Sequence, residues 1–298
     1  MSVEGFLAAA KAEVEAALLR VLPEAGTPLA DAMRYSTLAG GKRLRPALAL
    51  AFHEVLGGSG APREEVAEAA AALELVHTYS LIHDDLPCMD DDALRRGKPT
   101  CHVVHGEAMA LLAGAALQTL GFQVLASRPR GEAFAPGRAD AVLLLARAIG
   151  AEGMAGGQAL DLAASGHAGE ERAAARLREI HEKKTGRLLA ASCERGAVLA
   201  GASPARREAV VRYGTSLGVL FQIADDLLDV TATAAVLGKS VGKDEAQEKL
   251  TYVAVYGFDG AVAEREKALG ETLERARELE GEPGLLAALA AWAAHRDR

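Results

Sequence analysis

Two aspartate-rich segments are the part of this chain best suited to chemistry, and each ends an apolar stretch with helical periodicity. The first aspartate motif, within residues 81–92, reads LIHDDLPCMDDD, and the second, within residues 221–229, reads FQIADDLLD. Carboxylates repel one another and are costly to bury unless they are paired or bound to metal. Their hard oxygens select Mg²⁺, Mn²⁺ or Ca²⁺, and Mg²⁺ usually shares its shell with substrate phosphates. The two motifs predict an enzyme that holds a phosphorylated substrate through divalent metal, although one cluster alone would equally fit a solvated acidic face.

The spacing within the motifs predicts how the carboxylates are presented. Asp225 and Asp229 are four residues apart and therefore share one face of a helix, whereas Asp226 points elsewhere. In the first motif Pro87 disfavours helix at the residue before it, so the helix is expected to loosen there. Asp90 could then turn back toward Asp84. A straight helix would align Asp84 with Asp91 instead, and spacing does not choose between them.

Basic segments supply the opposite charge. Residues 40–46 read GGKRLRP and residues 95–98 read RRGK, while residues 183–187 and 239–243 carry weaker signals of the same kind. Glycine allows close backbone approach, and arginine makes forked contacts to phosphate. Arginines directly after the first motif could instead neutralise its acids as salt bridges. No segment fits a nucleotide-binding P-loop, so nucleotide phosphoryl transfer is disfavoured.

Composition predicts a large helical protein. The chain has 298 residues, of which 50% are hydrophobic and 4% aromatic, and no stretch alternates with a period of two. We therefore expect an all-α fold with essentially no sheet, and a single domain over residues 1–298. Turn signals lie at Thr27-Pro28, at residues 57–62, 127–137 and 281–284, and at Ser203-Pro204.

Charge and local composition also exclude several classes of protein. The net charge of −8 argues against a nucleic-acid binder. Three cysteines without paired spacing indicate neither a disulfide framework nor a zinc site, and the charged N-terminal residues do not resemble a signal peptide. We expect a cytoplasmic protein. The most apolar stretch, residues 108–126, is more typical of the centre of a helical bundle than of a membrane span.

Five motifs together resemble one family. Residues 81–102, with DDxxxxD followed by RRGKPT, look like the first aspartate-rich motif of the trans-isoprenyl diphosphate synthases, and DDLLD at residues 225–229 looks like their second. GGKRLRP matches their GGKRxRP motif, and Lys184-Thr185 and Phe221-Gln222 match two further signatures. The resemblance runs from about Met33 to Tyr252 in the family's order. It is strongest to the short-chain members, above all those that make farnesyl diphosphate.

The resemblance implies the type I isoprenoid synthase fold, a large helical bundle around a central cavity, and a homodimer. It also implies three Mg²⁺ ions per active site, with Mn²⁺ as a substitute. Asp84 and Asp90 would hold two of them and Asp225 the third. Asp85, Asp91 and Asp229 are expected in an outer shell.

The same resemblance implies two diphosphate sites. We expect small-molecule diphosphates as the substrates, and neither nucleic acid nor membrane as a partner. The allylic diphosphate would be held by the metals together with Arg95, Lys184 and Lys239, while Thr185 and Gln222 direct oxygen dipoles toward the developing cation. Catalytic roles would thus fall to Lys184, Thr185 and Gln222. Isopentenyl diphosphate would lie nearby without metal. Its expected ligands are Gly41, Lys42, Arg45, His77 and Arg96.

Product length is expected to depend on the helix that carries Asp84. Tyr79 and Ser80 lie about one turn before Asp84, and in the family an aromatic residue at the position of Tyr79 accompanies short products. Farnesyl diphosphate is therefore expected, with geranyl or geranylgeranyl diphosphate as alternatives. A type I terpene cyclase would lack the isopentenyl site, a non-catalytic subunit would be expected to lose aspartates, and no EF-hand loop supports a calcium-binding protein.

Overall fold

The computed structural model describes residues 2–58, 60–164, 173–236, 250–282 and 284–296. These residues form thirteen α-helices, a 3₁₀ turn (Glu132–Phe134) and a π-helical turn (Glu182–Gly186). The α-helices are α1 (Val3–Val21), α2 (Pro28–Thr37), α3 (Leu44–Val55), α4 (Arg63–Asp84), α5 (Cys101–His105), α6 (Glu107–Ser127), α7 (Ala135–Ile149), α8 (Met154–Ala164), α9 (Ala173–His181), α10 (Arg187–Leu199), α11 (Pro204–Val236), α12 (Tyr252–Glu280) and α13 (Leu285–His295). The predicted all-α class is confirmed.

A short hairpin departs from the expectation of no sheet. Strands β1 (Leu94–Arg95) and β2 (Lys98–Pro99) pair antiparallel, with Arg95 opposite Lys98. The two residues between them, Arg96 and Gly97, both have positive φ, at 54° and 75°. Positive φ at both central positions is the geometry of a two-residue hairpin turn, whose twist matches that of paired strands. Two-residue strands are too short to show a period-two pattern in the sequence.

The chain divides into two compact units. Unit 1 comprises residues 1–143 and 198–201, and unit 2 comprises residues 144–197 and 202–298. The expectation of a single domain stays a prediction.

Most helix ends follow the turn signals of the sequence. The Thr27 hydroxyl accepts the N–H of Ala30 at 3.2 Å and Pro28 opens α2, as predicted. Residues 127–137 were predicted as one surface loop, and the second half of that prediction is wrong. The 3₁₀ turn begins at Glu132 and α7 begins at Ala135. Pro136 lies in the first turn of α7, where a missing N–H removes no helical hydrogen bond.

In unit 1, two glycines bring α6 against α4. A Cβ added to Gly114 would lie 2.2 Å from Nε2 of His83, and one added to Gly121 would lie 2.7 Å from Cγ2 of Val76. Gly114 and Gly121 are two helical turns apart, as are Val76 and His83, so they share one seam. This seam positions the helix that carries the first aspartate motif.

Helix α6 is half-exposed, which differs from the expected bundle centre. It is long and apolar enough to cross a membrane, and 39% of its most apolar stretch is buried. Core helices of soluble proteins also reach this length and apolarity, so one such helix is weak evidence for a span. Its outward residues include Leu111 and Leu112, which are 52% and 55% exposed.

In unit 2, α11 is the central helix and packs against α12 and α13. The fully buried Tyr213 donates its hydroxyl to the carbonyl of Leu286 at 2.8 Å. Gly218 faces the π-helical turn, where a Cβ would lie 2.7 Å from Cα of Gly186. The helix that carries the second aspartate motif is thereby held against the segment that carries Lys184 and Thr185.

Candidate active site

The first aspartate motif turns back on itself in unit 1. Helix α4 ends at Asp84, and the N–H of Asp90 donates to the carbonyl of Asp84 at 2.8 Å. Asp91 then adopts a left-handed backbone conformation, with φ 52°. The backbone therefore brings Asp90, rather than Asp91, next to Asp84, which is the return that Pro87 allowed. Their roles as metal ligands stay predictions.

Asp85 is held by Arg95. The Arg95 Nε and Nη2 atoms lie 2.7 Å and 2.6 Å from Oδ1 of Asp85, whose side chain is 4% exposed. Burial raises the pKa of the Asp85 carboxyl, and the Arg95 charge opposes that shift. The negative charge of Asp85 is thus compensated by the positive charge of Arg95. The sequence left Arg95 either in a salt bridge or at a phosphate, and its contacts in the structure are those of a salt bridge. Its role toward the allylic diphosphate stays a prediction.

The β1–β2 turn delivers Arg96 to the glycine-rich loop. Its Nη1 donates to the carbonyl of Gly40, and a Cβ added to Gly41 would lie 2.5 Å from the same Nη1. Gly41 itself has φ 128°, which side-chain-bearing residues rarely adopt. The glycines of GGKRLRP therefore allow the Arg96 guanidinium to lie close to the loop backbone.

Arg43 anchors this loop and was not assigned a role from the sequence. It caps α3 in a left-handed conformation and is 2% exposed. Its Nη1 donates to Glu74 at 2.7 Å and its Nη2 to the carbonyl of Thr37 at 2.8 Å. Arg43 is consequently structural, whereas Lys42 beside it is exposed.

His77 lies among fixed positive charges. Burial, and then the charges of Arg45 and Arg96, hold the pKa of His77 well below its usual value. The imidazole is therefore neutral at pH 7. Gly41, Arg45, His77 and Arg96 are brought together in unit 1, and Lys42 lies on the same loop. Two guanidiniums beside a neutral imidazole form an environment that attracts phosphate.

Tyr79 is held in place by His83, a residue that sequence reasoning missed. The Tyr79 side chain is buried, and its ring meets His83 edge-on with centroids 5.7 Å apart. His83 Nε2 is 3.1 Å from the carbonyl of Leu111 on α6, so this nitrogen is the donor. Burial, and then the Asp84 charge, raise the pKa of Tyr79 to about 12. Ser80 donates its hydroxyl to the carbonyl of His77 at 2.9 Å.

Lys184 and Thr185 lie on the π-helical turn of unit 2. A Cβ added to Gly157 of α8 would lie 2.2 Å from the backbone nitrogen of Lys184, so only glycine permits this approach. Lys184 Nζ lies 2.6 Å from Asp161 Oδ2, also on α8. Single π turns inside helices are frequent at functional sites. Asp161 was not predicted, although its i+4 relation to Gly157 places both on one helix face.

The second aspartate motif presents its acids as predicted. Asp225 is half-exposed and Asp229 exposed, whereas Asp226 is buried and accepts the N–H of Tyr252 at 2.7 Å. Gln222 donates its amide to Asp226 at 3.3 Å, which orients the side chain that was expected to direct an oxygen dipole. Burial raises the pKa of Asp226 to about 7. Asp226 therefore turns inward, away from the face of Asp225.

Arg296 is the second unpredicted partner in unit 2. Its Nη2 donates to Oδ1 of Asp225 and, at 3.0 Å, to the carbonyl of Phe221. Nothing in its sequence context, at the end of an alanine-rich helix, distinguished it from a surface residue. Lys239, expected at the allylic diphosphate, lies outside the described residues.

The carboxylates fit Mg²⁺ that is shared with a substrate. Within the described ranges, no group of three or more His, Cys, Asp or Glu side chains is arranged to hold a metal. Ca²⁺ requires six to eight oxygen ligands, whereas Mg²⁺ is usually bound through about one or two carboxylates together with substrate phosphates and water. Asp84, Asp90 and Asp225 supply hard oxygens of that kind. Each motif would suit Mg²⁺ that also binds substrate phosphate better than it would suit a closed protein cage.

The sequence model of the Polyprenyl synthetase family matches residues 27–284. The chain belongs to this family. Farnesyl diphosphate synthase of Escherichia coli strain K12 is 47% identical over 241 residues, which cover 80% of this chain and 79% of that relative. Geranylgeranyl pyrophosphate synthase, chloroplastic, of Capsicum annuum is 43% identical over 272 residues, which cover 90% and 71%. The protein is a prenyltransferase.

Solved structures support the same fold. An FPP/GFPP synthase from Zymomonas mobilis superposes with a TM-score of 0.85 at 31% identity, covering 98% of this chain and 99% of that one.

The large subunit 1 of a heterodimeric geranylgeranyl pyrophosphate synthase from Arabidopsis thaliana is 45% identical over 246 residues. This chain covers 64% of that subunit's length. Relatives with both C15 and C20 names occur, so family membership leaves product length open.

His181, which directly precedes the π-helical turn, makes stability sensitive to acid. Burial lowers the pKa of His181 to about 4, and its ring lies 5.5 Å from that of Tyr252. Between pH 6.5 and about 4 the unfolded chain takes up a proton that the folded chain refuses, so stability falls as pH falls. We expect this histidine to cost about 3 kcal/mol of unfolding free energy across that window.

Urea unfolding at pH values from 7 to 4 measures this dependence. His181→Gln should flatten the pH profile relative to the unmodified protein. His295→Gln, at an exposed position of α13, is the matched control and should leave the slope unchanged. Equal slopes in all three proteins would contradict the assignment.

Proposed function

We propose that this prenyltransferase condenses isopentenyl diphosphate with dimethylallyl or geranyl diphosphate, head to tail, to give (2E,6E)-farnesyl diphosphate. The observation that carries the proposal is the arrangement in unit 1. The charges of Arg45 and Arg96 act on the neutral His77. His77 is on α4, the helix that ends in the Asp84–Asp90 turn. A metal-free cationic site beside a carboxylate site suits two diphosphates that are held in different ways.

The reaction begins when the C1–O bond of the allylic diphosphate breaks and its electron pair leaves with the diphosphate. Mg²⁺, when bound by Asp84, Asp90 and Asp225, would supply the positive charge that makes diphosphate a good leaving group. Lys184 and Arg95 would add fixed charge at the leaving oxygens. Gln222 and Thr185 would direct oxygen dipoles toward the allylic cation.

The carbon–carbon bond then forms from the double-bond electrons of isopentenyl diphosphate. Arg45, Arg96 and Lys42 would hold that substrate by its diphosphate, and His77 would donate a hydrogen bond without adding charge. Loss of a proton from C2 restores a double bond, and the departed diphosphate can accept this proton. No side-chain base is required, which fits a site whose histidine has a lowered pKa and is therefore a weak base.

Geranylgeranyl diphosphate synthesis is the leading alternative, and a terpene cyclase is disfavoured. A cyclase has no use for a second diphosphate, whereas Arg45, Arg96 and His77 stand together here. Chromatography of the products formed from isopentenyl diphosphate and each allylic starter separates these functions. A C15 product supports the proposal, a C20 product supports the alternative, and a cyclised hydrocarbon would overturn both.

Metal dependence tests the carboxylate assignment. Activity should vanish in excess chelator and return with Mg²⁺ or Mn²⁺, because the aspartates alone would repel a diphosphate. Asp84→Ala and Asp225→Ala should each lower kcat by roughly 10²-fold or more, as expected for a lost transition-state contact. Asp259→Ala, at an exposed site on α12, is the control and should retain full activity. Losses below tenfold in both variants would show that the metals are held elsewhere.

Steady-state kinetics with each substrate varied separately tests the two diphosphate sites. Arg96→Ala and Lys42→Ala should chiefly raise KM for isopentenyl diphosphate, because both are proposed ligands of its metal-free diphosphate. Arg95→Ala should chiefly impair use of the allylic substrate. If all three variants affected both substrates equally, the division into two sites would be wrong.

A second copy of this chain is the partner that we propose for the exposed face of α6. The face carries Leu111 and Leu112, and Val103 and Val104 of the neighbouring α5 are 53% and 47% exposed. Exposed apolar patches of this kind mark protein interfaces, and soluble oligomers are most often twofold-symmetric dimers.

Light scattering after size-exclusion chromatography tests this partner. The protein should run as a dimer, and Leu112→Glu should convert it to a monomer because a charge is then buried without a partner. Leu19→Glu, at a 53%-exposed position of α1, should leave the mass unchanged. A monomeric parent protein would refute the homodimer.

Product length tests the role of Tyr79. Tyr79→Ala should shift the product from C15 toward C20, because it removes a buried ring, packed against His83, that we propose limits the growing tail. Ser80→Phe should shorten the product by filling the neighbouring space. Tyr256→Ala, which removes a ring from unit 2, is the control and should not change chain length. If Tyr79→Ala still stopped at the parental length, another residue would form the floor.

A further inference from the structure

Arg296 is a buried arginine whose contacts converge on the second aspartate motif. Its side chain is 2% exposed, although it lies beyond the last helical residue of α13. Nη1 donates to the carbonyl of Ala293 at 2.8 Å, and Nη2 donates to the carbonyl of Phe221 at 3.0 Å and to Oδ1 of Asp225. The guanidinium carbon also lies 3.7 Å above the centre of the Phe221 ring.

The contacts with Ala293 and Phe221 fix the position of the guanidinium independently of Asp225. Phe221 and Asp225 are one turn apart on α11, so a single face of that helix supplies the ring, a carbonyl and the acid. Arginine is planar and loses little further freedom when several donors are already bound. Asp225 therefore receives a partner whose position is determined by other groups.

Asp225 keeps a second oxygen for another partner. In the contacts of the described residues, Arg296 donates to Oδ1 alone, and the Asp225 side chain remains 40% exposed. A carboxylate that is anchored through one oxygen is restricted in rotation, which aims the other oxygen. Groups that hydrogen-bond to metal ligands act in this way, and their loss typically weakens metal binding by about 10–100-fold.

We propose that Arg296 is a positioning residue that orients Asp225 for the divalent metal of the reaction. The inference rests on the proposed function, in which Asp225 is a metal ligand. It gives the C-terminal residues of this chain a part in the site that no motif of the sequence indicated.

A competing role for Arg296 predicts the opposite sign. If the guanidinium merely occupied Asp225 in place of metal, its removal would expose the carboxylate and tighten metal binding. Removal of a nearby positive charge acts in the same direction by Coulomb's law. A positioning role predicts weaker binding despite that electrostatic gain.

Mn²⁺ binding measured by the loss of the free-ion EPR signal, alone and with inorganic diphosphate, tests the proposal without catalysis. Arg296→Gln should weaken Mn²⁺ binding by about 10-fold or more. Arg296→Lys keeps the positive charge and a donor, so its Mn²⁺ affinity should lie between those of the parent protein and of Arg296→Gln. Arg212→Gln is the matched control, because it removes an equal charge from α11, the helix that carries Asp225, at an exposed ion pair with Glu278 of α12. It should bind Mn²⁺ like the parent protein.

Asp225→Asn separates failure of this inference from failure of the metal assignment. Loss of bound Mn²⁺ in Asp225→Asn together with unchanged or tighter binding in Arg296→Gln would overturn the positioning role alone. Unchanged binding in Asp225→Asn would overturn both. Circular dichroism and thermal unfolding establish folding of each variant, and if Arg296→Gln does not fold, weakened binding in Arg296→Lys supports the proposal and parental binding overturns it.

Discussion

Repulsion between carboxylates is the constraint on which both aspartate motifs depend. Several acids near the proposed site are paired with a cation or with a hydrogen-bond donor in the described residues. Asp85 is held by Arg95, Asp161 by Lys184, and Asp226 by the backbone of Tyr252. Asp84, Asp90 and Asp229 are at least partly accessible to solvent. The accessible acids are the ones for which we propose a role at the metals, and Asp225 is among them although Arg296 donates to one of its oxygens.

Close backbone approach is the second requirement, and glycine meets it in both units. In unit 1, Gly114 and Gly121 admit His83 and Val76, so α4 lies tightly against α6. In unit 2, Gly157 and Gly218 hold the π-helical turn that carries Lys184 and Thr185. Helix α4, which ends at Asp84, and the turn that carries Lys184 and Thr185 are thus positioned by close packing at glycines. Rigid placement of this kind suits a reaction that relies on electrostatic preorganisation.

Buried histidines complete the electrostatic arrangement. His77 and His181 both have lowered pKa values because burial disfavours the imidazolium form. Near the proposed isopentenyl site, the positive charge therefore comes from arginine, which stays protonated at every physiological pH. A diphosphate bound there would meet constant charge, with histidine limited to hydrogen bonding.

The sequence by itself determined the fold class, the family and the face on which each acid of the second motif lies, because helical periodicity and motif spacing are local properties. It also located Gly41, Arg45, His77 and Arg96, although only as members of a resembling pattern. Tertiary structure decided what local pattern could not. It turned Asp90 rather than Asp91 back to Asp84, paired Arg43 with Glu74, and placed His83 behind Tyr79. It also brought Arg296 to Asp225, 71 residues away in the chain. The Arg43–Glu74 and Arg296–Asp225 contacts join residues that are distant in sequence, and a single sequence carries no signal of which distant charges meet.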